Sequence, residues 1–328
     1  VLIGLFFGIK RYIFGIEAVA NINDFFPWGI WKAVNVAAVA ALGSSGFTLT
    51  AIVHIFHKEK YHSLMRPSLV VALLCYAFVG VALLVDLGRY YFLWHPMMPS
   101  MWQVNSALFE VAMCVMSYLT VLQIEFAPVF FERFIGKVNL PGPLAAFNRP
   151  ADSAMKAGDF VLGKLMPLFM ILGIVLCCLH QSTLGTLMTI PMYKMHPLWF
   201  SPALPLLFLL SAAAVGLTSA IAASLWTSKA FGTPYEMKAL TSLSKSVPIF
   251  MGMYIAARII DLALRDSLGY MFDGSPRSFM FLAEFLIGVV LPCLMFLFEK
   301  VRRSPALMFT ASMIFILGIS FNRINTYL

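Results

Sequence analysis

This chain is short of charge. Asp, Glu, Lys and Arg make up only 12% of its 328 residues, about half the share usual in a soluble domain. With 61% hydrophobic residues and a mean hydropathy of +0.87, that shortage excludes a water-soluble globular protein and specifies an integral membrane one. Cysteine is sparse as well. Cys75, Cys114, Cys177, Cys178 and Cys293 all lie inside apolar runs, and none makes the CxxC or CxxCH spacing of a metal, redox or c-haem motif. No iron–sulfur cluster is expected here, and the vicinal Cys177–Cys178 pair reads as two small core residues. The sequence lacks a low-complexity tract, a convincing internal repeat and a soluble domain. It also lacks a basic n-region followed by a small-residue cleavage site, so no signal peptide is expected. The apolar run that opens at Val1 reads as an incomplete first helix.

The net charge of +8 does not point to nucleic acid, because the basic residues are confined to short loops between apolar runs. A helix needs about 20 apolar residues to cross a bilayer core. Nine segments meet that requirement, at roughly 1–19, 29–56, 67–92, 104–130, 160–185, 202–227, 246–266, 278–300 and 305–321. The fold class is therefore all-α, a polytopic transmembrane bundle forming a single domain. The one long connection, 131–159, holds Pro141-Gly142-Pro143 and Asn148-Arg149-Pro150 and reads as a surface crossing with a short interfacial helix.

Lys and Arg set the orientation. One side holds Lys58, Lys60, Arg66, Arg133, Lys137, Arg149, Lys156, Lys229, Lys238, Lys245, Lys300, Arg302 and Arg303, and the other chiefly Arg89, Lys194, Arg277 and Arg323. The first side is expected to face the cytoplasm. The second carries aromatic, Pro-rich turns in which Trp28 and Trp199 read as members of an interfacial belt.

Against this apolar background five ionisable residues stand inside the spans: Asp86, Glu110, His180, Asp261 and Glu284. Threading the helices places all five toward the outer side, within roughly 5–12 Å of the helix ends at 1.5 Å per residue. Ionisable groups in hydrocarbon are costly and usually mark a cavity, a ligand or a proton path. The alternative is that they are interhelical ion pairs. Asp86 and Arg89, and likewise Arg258 and Asp261, have the i, i+3 spacing of such pairs. Glu110, His180 and Glu284 have no partner on their own helices. A second polar trail runs inward through Ser44, Ser45, Thr48 and Thr50, then Ser117, Thr120, Gln123 and Glu125. It is a candidate inner proton route with Glu125 as its anchor, although hydroxyls in membrane helices more often bond to backbone. Haem is not expected. His54, His57 and His62 cluster at the inner end of the second helix, His95 and His196 lie in outer turns, and only His180 is intramembrane, whereas bis-histidine ligation needs two.

Several motifs carry a family likeness. They are Asn23-Asp24-Phe25-Phe26-Pro27-Trp28-Gly29, Asp86-Leu87-Gly88-Arg89, Trp94-His95-Pro96, Ser106-Ala107-Leu108-Phe109-Glu110-Val111 and Glu125-Phe126-Ala127-Pro128. His180-Gln181-Ser182-Thr183-Leu184-Gly185, His196-Pro197-Leu198-Trp199 and Asn322-Arg323-Ile324-Asn325 complete the series. In this order, over nearly the whole chain, they resemble the NrfD-like membrane subunits of the polysulfide reductase type. The nearest likeness is to the HybB-like branch, the membrane subunits of periplasmic nickel–iron hydrogenases. Tyr90 departs from the proline common after the arginine, which should alter the local turn more than the chemistry. That branch commonly has ten helices, so nine would leave a terminal one outside these residues.

The resemblance implies a quinone-interacting subunit, with menaquinone as substrate and no haem or iron–sulfur cluster of its own. It further implies a periplasmic, ferredoxin-like iron–sulfur partner, a catalytic or multihaem subunit beyond it, and the bacterial or archaeal inner membrane as location. Quinone chemistry takes two electrons and two protons, so it needs carbonyl hydrogen-bond donors beside protonatable groups in an apolar pocket. His180 or Arg89 could bond a carbonyl and Glu110 or Asp86 could relay protons, with Asp261 and Glu284 as further candidates and proton translocation as a further consequence. Two readings compete: a transporter or ion channel using the same polar layer, and a passive anchor. An anchor needs no buried carboxylates.

Overall fold

A computed structural model describes residues 2–21, 29–139, 141–191 and 194–327. Among these residues there is no β-strand, and eight helices are long and apolar enough to cross a membrane. They are α2 (Ile30–Ile55), α3 (Glu59–Asp86), α4 (Ala107–Phe134), α5 (Ala145–Thr189), α6 (Leu204–Phe231), α7 (Met237–Leu264), α8 (Pro276–Leu297) and α9 (Pro305–Tyr327). The segment expected as a further span holds a described helix of 13 residues, α1 (Leu2–Phe14). It leans on the outer end of α3, where the buried Arg11 donates from Nε to the Val85 carbonyl at 2.6 Å and also reaches the Leu87 carbonyl.

The even-numbered spans run from the outer to the inner, Lys/Arg-rich side, and the odd-numbered ones return. The centre of the bundle is formed by α2 and α6, the most enclosed of the eight. One core joins α2 to α6 through Val36, Tyr76, Tyr118, Leu122, Cys177 and Phe208. A second lies chiefly among α6 to α9 around Leu217, Met251, Phe296 and Phe315. A third, smaller cluster under the outer loops holds Leu198, Trp199, Leu262 and Phe281.

Lipid supplies no hydrophobic drive between helices, so close backbone approach and interhelical hydrogen bonds hold such a bundle together. Both devices are present. The Ser44 hydroxyl contacts the Ala41 and Ala212 carbonyls at 2.5 Å, and Ser45 donates to the Ser68 carbonyl at 3.1 Å. Where α8 crosses α9, a Cβ on Gly318 would stand 2.3 Å from Gly288 Cα. The backbones touch there.

Several boundaries differ from expectation for identifiable reasons. The region expected as a long crossing loop is largely helix, because Pro150 sits in the first turn of the α-helical stretch Asn148–Thr189, where no amide bond is lost. The last helix runs on to Tyr327, carrying Asn322, Arg323 and Asn325 into the bundle. Three stretches adopt the wider π-helical turn: Ala33–Ala38, Ala51–Ile55 and Ala283–Val290. Such turns often occur at functional sites, and the first and third hold Asn35 and Glu284.

Candidate functional site

The outer ends of α2 to α5 carry the first polar group. Asp86 closes α3 and accepts from Asn35 Nδ2 at 2.6 Å, with Lys32 Nζ 3.8 Å away. The Asp86–Arg89 pair that the i, i+3 spacing allows does not form. The helix stops at Asp86 and Leu87 is extended (φ −70°, ψ 122°), so the i, i+3 geometry is lost and Arg89 is exposed in the outer turn. Hydropathy alone places Glu110 two turns inside α4. It lies instead in the first turn, because the Ser106 hydroxyl caps the helix by accepting from Phe109 N at 3.4 Å. Glu110 is exposed and accepts from Thr183 Oγ1 of α5 at 3.0 Å.

One turn below Thr183 lies His180, fully buried, with neither ring nitrogen hydrogen-bonded. Its ring stands edge-on to Tyr76 at 5.5 Å. Gln181 beside it donates to the Ala40 carbonyl at 2.9 Å, and its own carbonyl oxygen is unpaired. Nearly all buried polar atoms in proteins find a partner. An imidazole orphaned at both nitrogens, beside an orphaned amide oxygen, is a concentration of unused hydrogen-bonding capacity.

The second group belongs to α7, α8 and α9. Glu284 Oε1 accepts from Trp199 Nε1 at 2.9 Å and Asn322 Nδ2 at 2.8 Å, and Oε2 accepts from Asn325 Nδ2 at 2.5 Å. The Gly288–Gly318 crossing arranges this cradle, since Glu284 and Asn322 each lie one turn outward of it. Asp261 pairs with Arg265 at 2.8 Å, lies 3.9 Å from Arg258 and accepts from Ser201. The same arginines hold the α5–α6 loop, Arg258 at the Leu198 carbonyl (2.5 Å) and Arg265 at that of Pro197 (3.0 Å). Trp199 is therefore no interfacial belt residue. It is 5% exposed and bonded to a buried carboxylate.

Above this cradle lies an outer cavity of about 400 Å³, lined by His196, Trp199, Arg277, Met280 and Asn325 among others. Burial, and then the nearby Arg277, hold the His196 imidazole below its ordinary pKa, and the backbone N–H of Ser275 does the same for Asp273. Among the described residues, no hydrogen bond or ion pair joins Asp86, Glu110 or His180 to Asp261 or Glu284. The five ionisable residues lie in the outer halves of their helices but form two groups.

On the inner trail, Thr120 closes on the Met116 carbonyl at 2.9 Å, and Thr120 and Gln123 are exposed while Ser117 and Glu125 are half-buried. Ser44, Ser45 and Thr48 bond to backbone.

Comparison with known proteins matches residues 18–326 to the family model described as polysulphide reductase, NrfD. The chain belongs to the NrfD family. It is 33% identical over 313 residues to the probable Ni/Fe-hydrogenase 2 b-type cytochrome subunit of Escherichia coli K12, covering 94% of this chain and 75% of that protein. It is 24% identical to the menaquinone reductase integral membrane subunit of Nitratidesulfovibrio vulgaris, covering 93% and 73%. A putative dimethyl sulfoxide reductase membrane subunit of Halobacterium salinarum is 23% identical, covering 93% and 69%. NrfD-family membership makes this chain a multi-pass membrane subunit of a redox complex.

The Escherichia coli relative's name describes a b-type cytochrome, which raises the question of haem in this NrfD-family chain. His180 lies nine residues from the outer end of α5 and His54 in the last turn of α2 at the inner end. At 1.5 Å per residue they are separated by roughly 20 Å in depth, so they do not fit as axial ligands of one iron. Among the described residues, no cluster of three or more His, Cys, Asp or Glu could hold a metal ion.

Asn35, Lys32, Thr183, Trp199, Arg265 and the asparagines of α9 have no site role expected from the sequence. The signal available is helical spacing: Asn322 and Asn325 are i, i+3, as are His180 and Thr183. Arg323, expected in an outer loop, is 1% exposed, bonded to Ser211 Oγ at 2.7 Å and seated 3.3 Å from the centre of the Phe208 ring. The aromatic motif at 23–28 lies outside the described residues.

Proposed function

We propose that this chain is the quinone-interacting subunit of its complex, binding the headgroup at the outer ends of α4 and α5. The observation that carries the reading is His180, wholly buried with both ring nitrogens unpartnered, one turn beneath the Thr183–Glu110 bond. His180 donates to a quinone carbonyl, and Glu110, open to the surface, exchanges the protons of the quinone/quinol couple. Asp86, held by Asn35 and Lys32, and the exposed Arg89 flank the approach. The quinone is menaquinone, the substrate named for the Nitratidesulfovibrio relative. Electrons pass to or from an iron–sulfur partner on the outer face, which serves a catalytic or multihaem subunit. The outer side is then the periplasm and the membrane the cytoplasmic one.

A second position for the headgroup is the outer cavity over Glu284, favoured by its volume and by the Arg277 and His196 side chains in its wall. Its acidic neighbours are already committed. Asp261 and Glu284 accept several bonds each, and in this reading they pin the outer loop.

The proposal is tested with Glu110→Gln in the native complex. Glutamine can still accept from Thr183, so assembly is preserved. Quinone turnover is expected to fall about tenfold or more, as general acid–base groups contribute 10²–10⁴-fold, while dye-linked activity of the catalytic partner is unchanged. Wild-type quinone turnover in this variant would support the passive anchor.

A further inference from the structure

We infer that the inner side of the bundle carries a binding site for an anionic phospholipid, in the cavity between the end of α6 and the start of α9, with the lipid phosphate held by Lys229. The site lies on the side opposite the proposed quinone position and does not depend on that reading.

Three features carry it. The first is a cavity of about 440 Å³ lined by Trp226, Lys229, Tyr235, Ser304, Phe309 and Thr310 among others, with no aspartate or glutamate in its wall. Lys229 stands in the last turn of α6, just before Gly232 ends the helix in the left-handed region (φ 65°), and Ser304 stands immediately before α9. Both lie at the level where the Lys/Arg-rich loops meet the inner headgroups. The second feature is unspent donors. Among the described residues, the Lys229 ammonium, the Trp226 indole N–H and the hydroxyls of Tyr235 and Thr310 have no hydrogen-bond or ion-pair partner. The third is an apolar shelf below them. The Trp226 ring stacks on Phe309 at 6.1 Å and 23°, tying α6 to α9, yet Trp226 is 65% exposed.

Donors at the mouth and ring faces beneath them match a molecule with a phosphate at one end and a hydrocarbon chain at the other. Basic pockets between membrane helices on the cytoplasmic side hold anionic headgroups in this way, and an ammonium offers a phosphate three donors on a compact charge. The other charges at this edge are committed elsewhere. Arg303 pairs with Glu299 at 2.5 Å, and Arg302 donates to the Phe296 and Leu297 carbonyls at 2.8 and 2.9 Å. A neighbouring cavity shares Tyr235 and holds Lys60 and Lys238, but Glu236 also lines it. Lys60 there is spent on Ser242 at 2.7 Å. The phosphate therefore belongs on the Lys229 side. A lysine that only snorkels from a helix end would attract anionic headgroups without needing the cavity, and that difference is measurable.

The test is native mass spectrometry of the purified complex in detergent carrying equal amounts of dioleoyl phosphatidylglycerol and dioleoyl phosphatidylcholine. Wild type is compared with Lys229→Gln, Lys229→Arg and Ala306→Phe. Residues 229 and 306 are both exposed, so the variants should assemble. Wild type should retain phosphatidylglycerol about tenfold over phosphatidylcholine, the factor expected of one charge-assisted hydrogen-bonded contact. Lys229→Gln should bring the two lipids near parity, and Lys229→Arg should keep the preference. Ala306→Phe, which places a ring in the cavity and leaves Lys229 in place, should abolish retention of both. Excess inorganic phosphate should leave the lipid bound. Equal retention of the two lipids by wild type overturns the site, as does unchanged phosphatidylglycerol in Lys229→Gln. Unchanged phosphatidylglycerol in Ala306→Phe reduces Lys229 to a snorkelling side chain, and displacement by inorganic phosphate makes the occupant a free anion; either result also overturns the proposal.

Discussion

A complex carrying His180→Phe should assemble, unfold no earlier than wild type and lose quinone turnover by about 100-fold or more. The first two expectations follow from the unpaired imidazole. Both ring nitrogens are fully buried without partners, and a buried polar group left unsatisfied costs about 1–3 kcal/mol. A phenyl ring fills similar space, keeps the edge contact to Tyr76 and removes that cost. The third follows from the proposed quinone site, in which no other group replaces His180 as carbonyl donor, and positioned proton donors contribute about 10²–10⁴-fold. Stability and turnover thus move in opposite directions at one position. A thermal melt of the detergent-solubilised complex, beside quinone and dye assays, checks this. A less stable variant with unchanged turnover would make His180 a packing residue.

The largest expected effect on folding is at the α8–α9 crossing. In Gly318→Leu the first side-chain atom alone would stand 2.3 Å from Gly288 Cα and 2.4 Å from its carbonyl oxygen. Overpacking against side chains costs about 1–3 kcal/mol because they can rotate away. Here the obstacle is backbone, so the helices must separate. Separation also pulls Asn322 from Glu284, and a buried carboxylate stripped of partners is costly in its own right. The expected outcome is almost no folded protein in the membrane, read as yield and monodispersity after extraction. Gly252→Ala meets no atom within 4 Å and should match wild type. Normal yield of Gly318→Leu would show that the helices do not cross backbone to backbone.

The membrane bundle is legible in the sequence because 20-residue apolar runs have few other uses, and seven of the nine expected segments overlap their helices almost throughout. The boundaries that differ trace to local chemistry. Pro150 reads as a breaker but occupies a first turn, Ser106 starts α4 later than hydropathy alone suggests, and the polar tail of α9 is helical because its side chains bond inward. That the five ionisable residues lie in the outer halves of their helices also follows from counting residues, although counting puts Glu110 a turn too deep. Their division into two groups does not. Counting gives depth without rotation, and partners such as Trp199 and Asn35 come from helices and loops remote in sequence. The Arg258–Asp261 proximity follows from i, i+3 spacing and is present, whereas Asp86–Arg89 has the same spacing and fails because the helix ends between them.

The family likeness carries what spacing cannot. Matching residues 18–326 to the NrfD family model places the chain among membrane subunits of redox complexes, and the unpaired polar atoms around His180 then give a reason to look for the quinone at α4 and α5.

The most direct measurement is the location of the quinone itself. A photoreactive menaquinone analogue, bound to the native complex and activated by light, is followed by peptide mapping of this chain. Labels are expected on α4 near Glu110 and on α5 near His180 and Thr183, removed by excess menaquinone and lost in Glu110→Gln only to the extent that affinity falls. Competed labelling confined to Trp199, Met280 and the outer end of α9 would contradict it and move the headgroup to the cavity over Glu284.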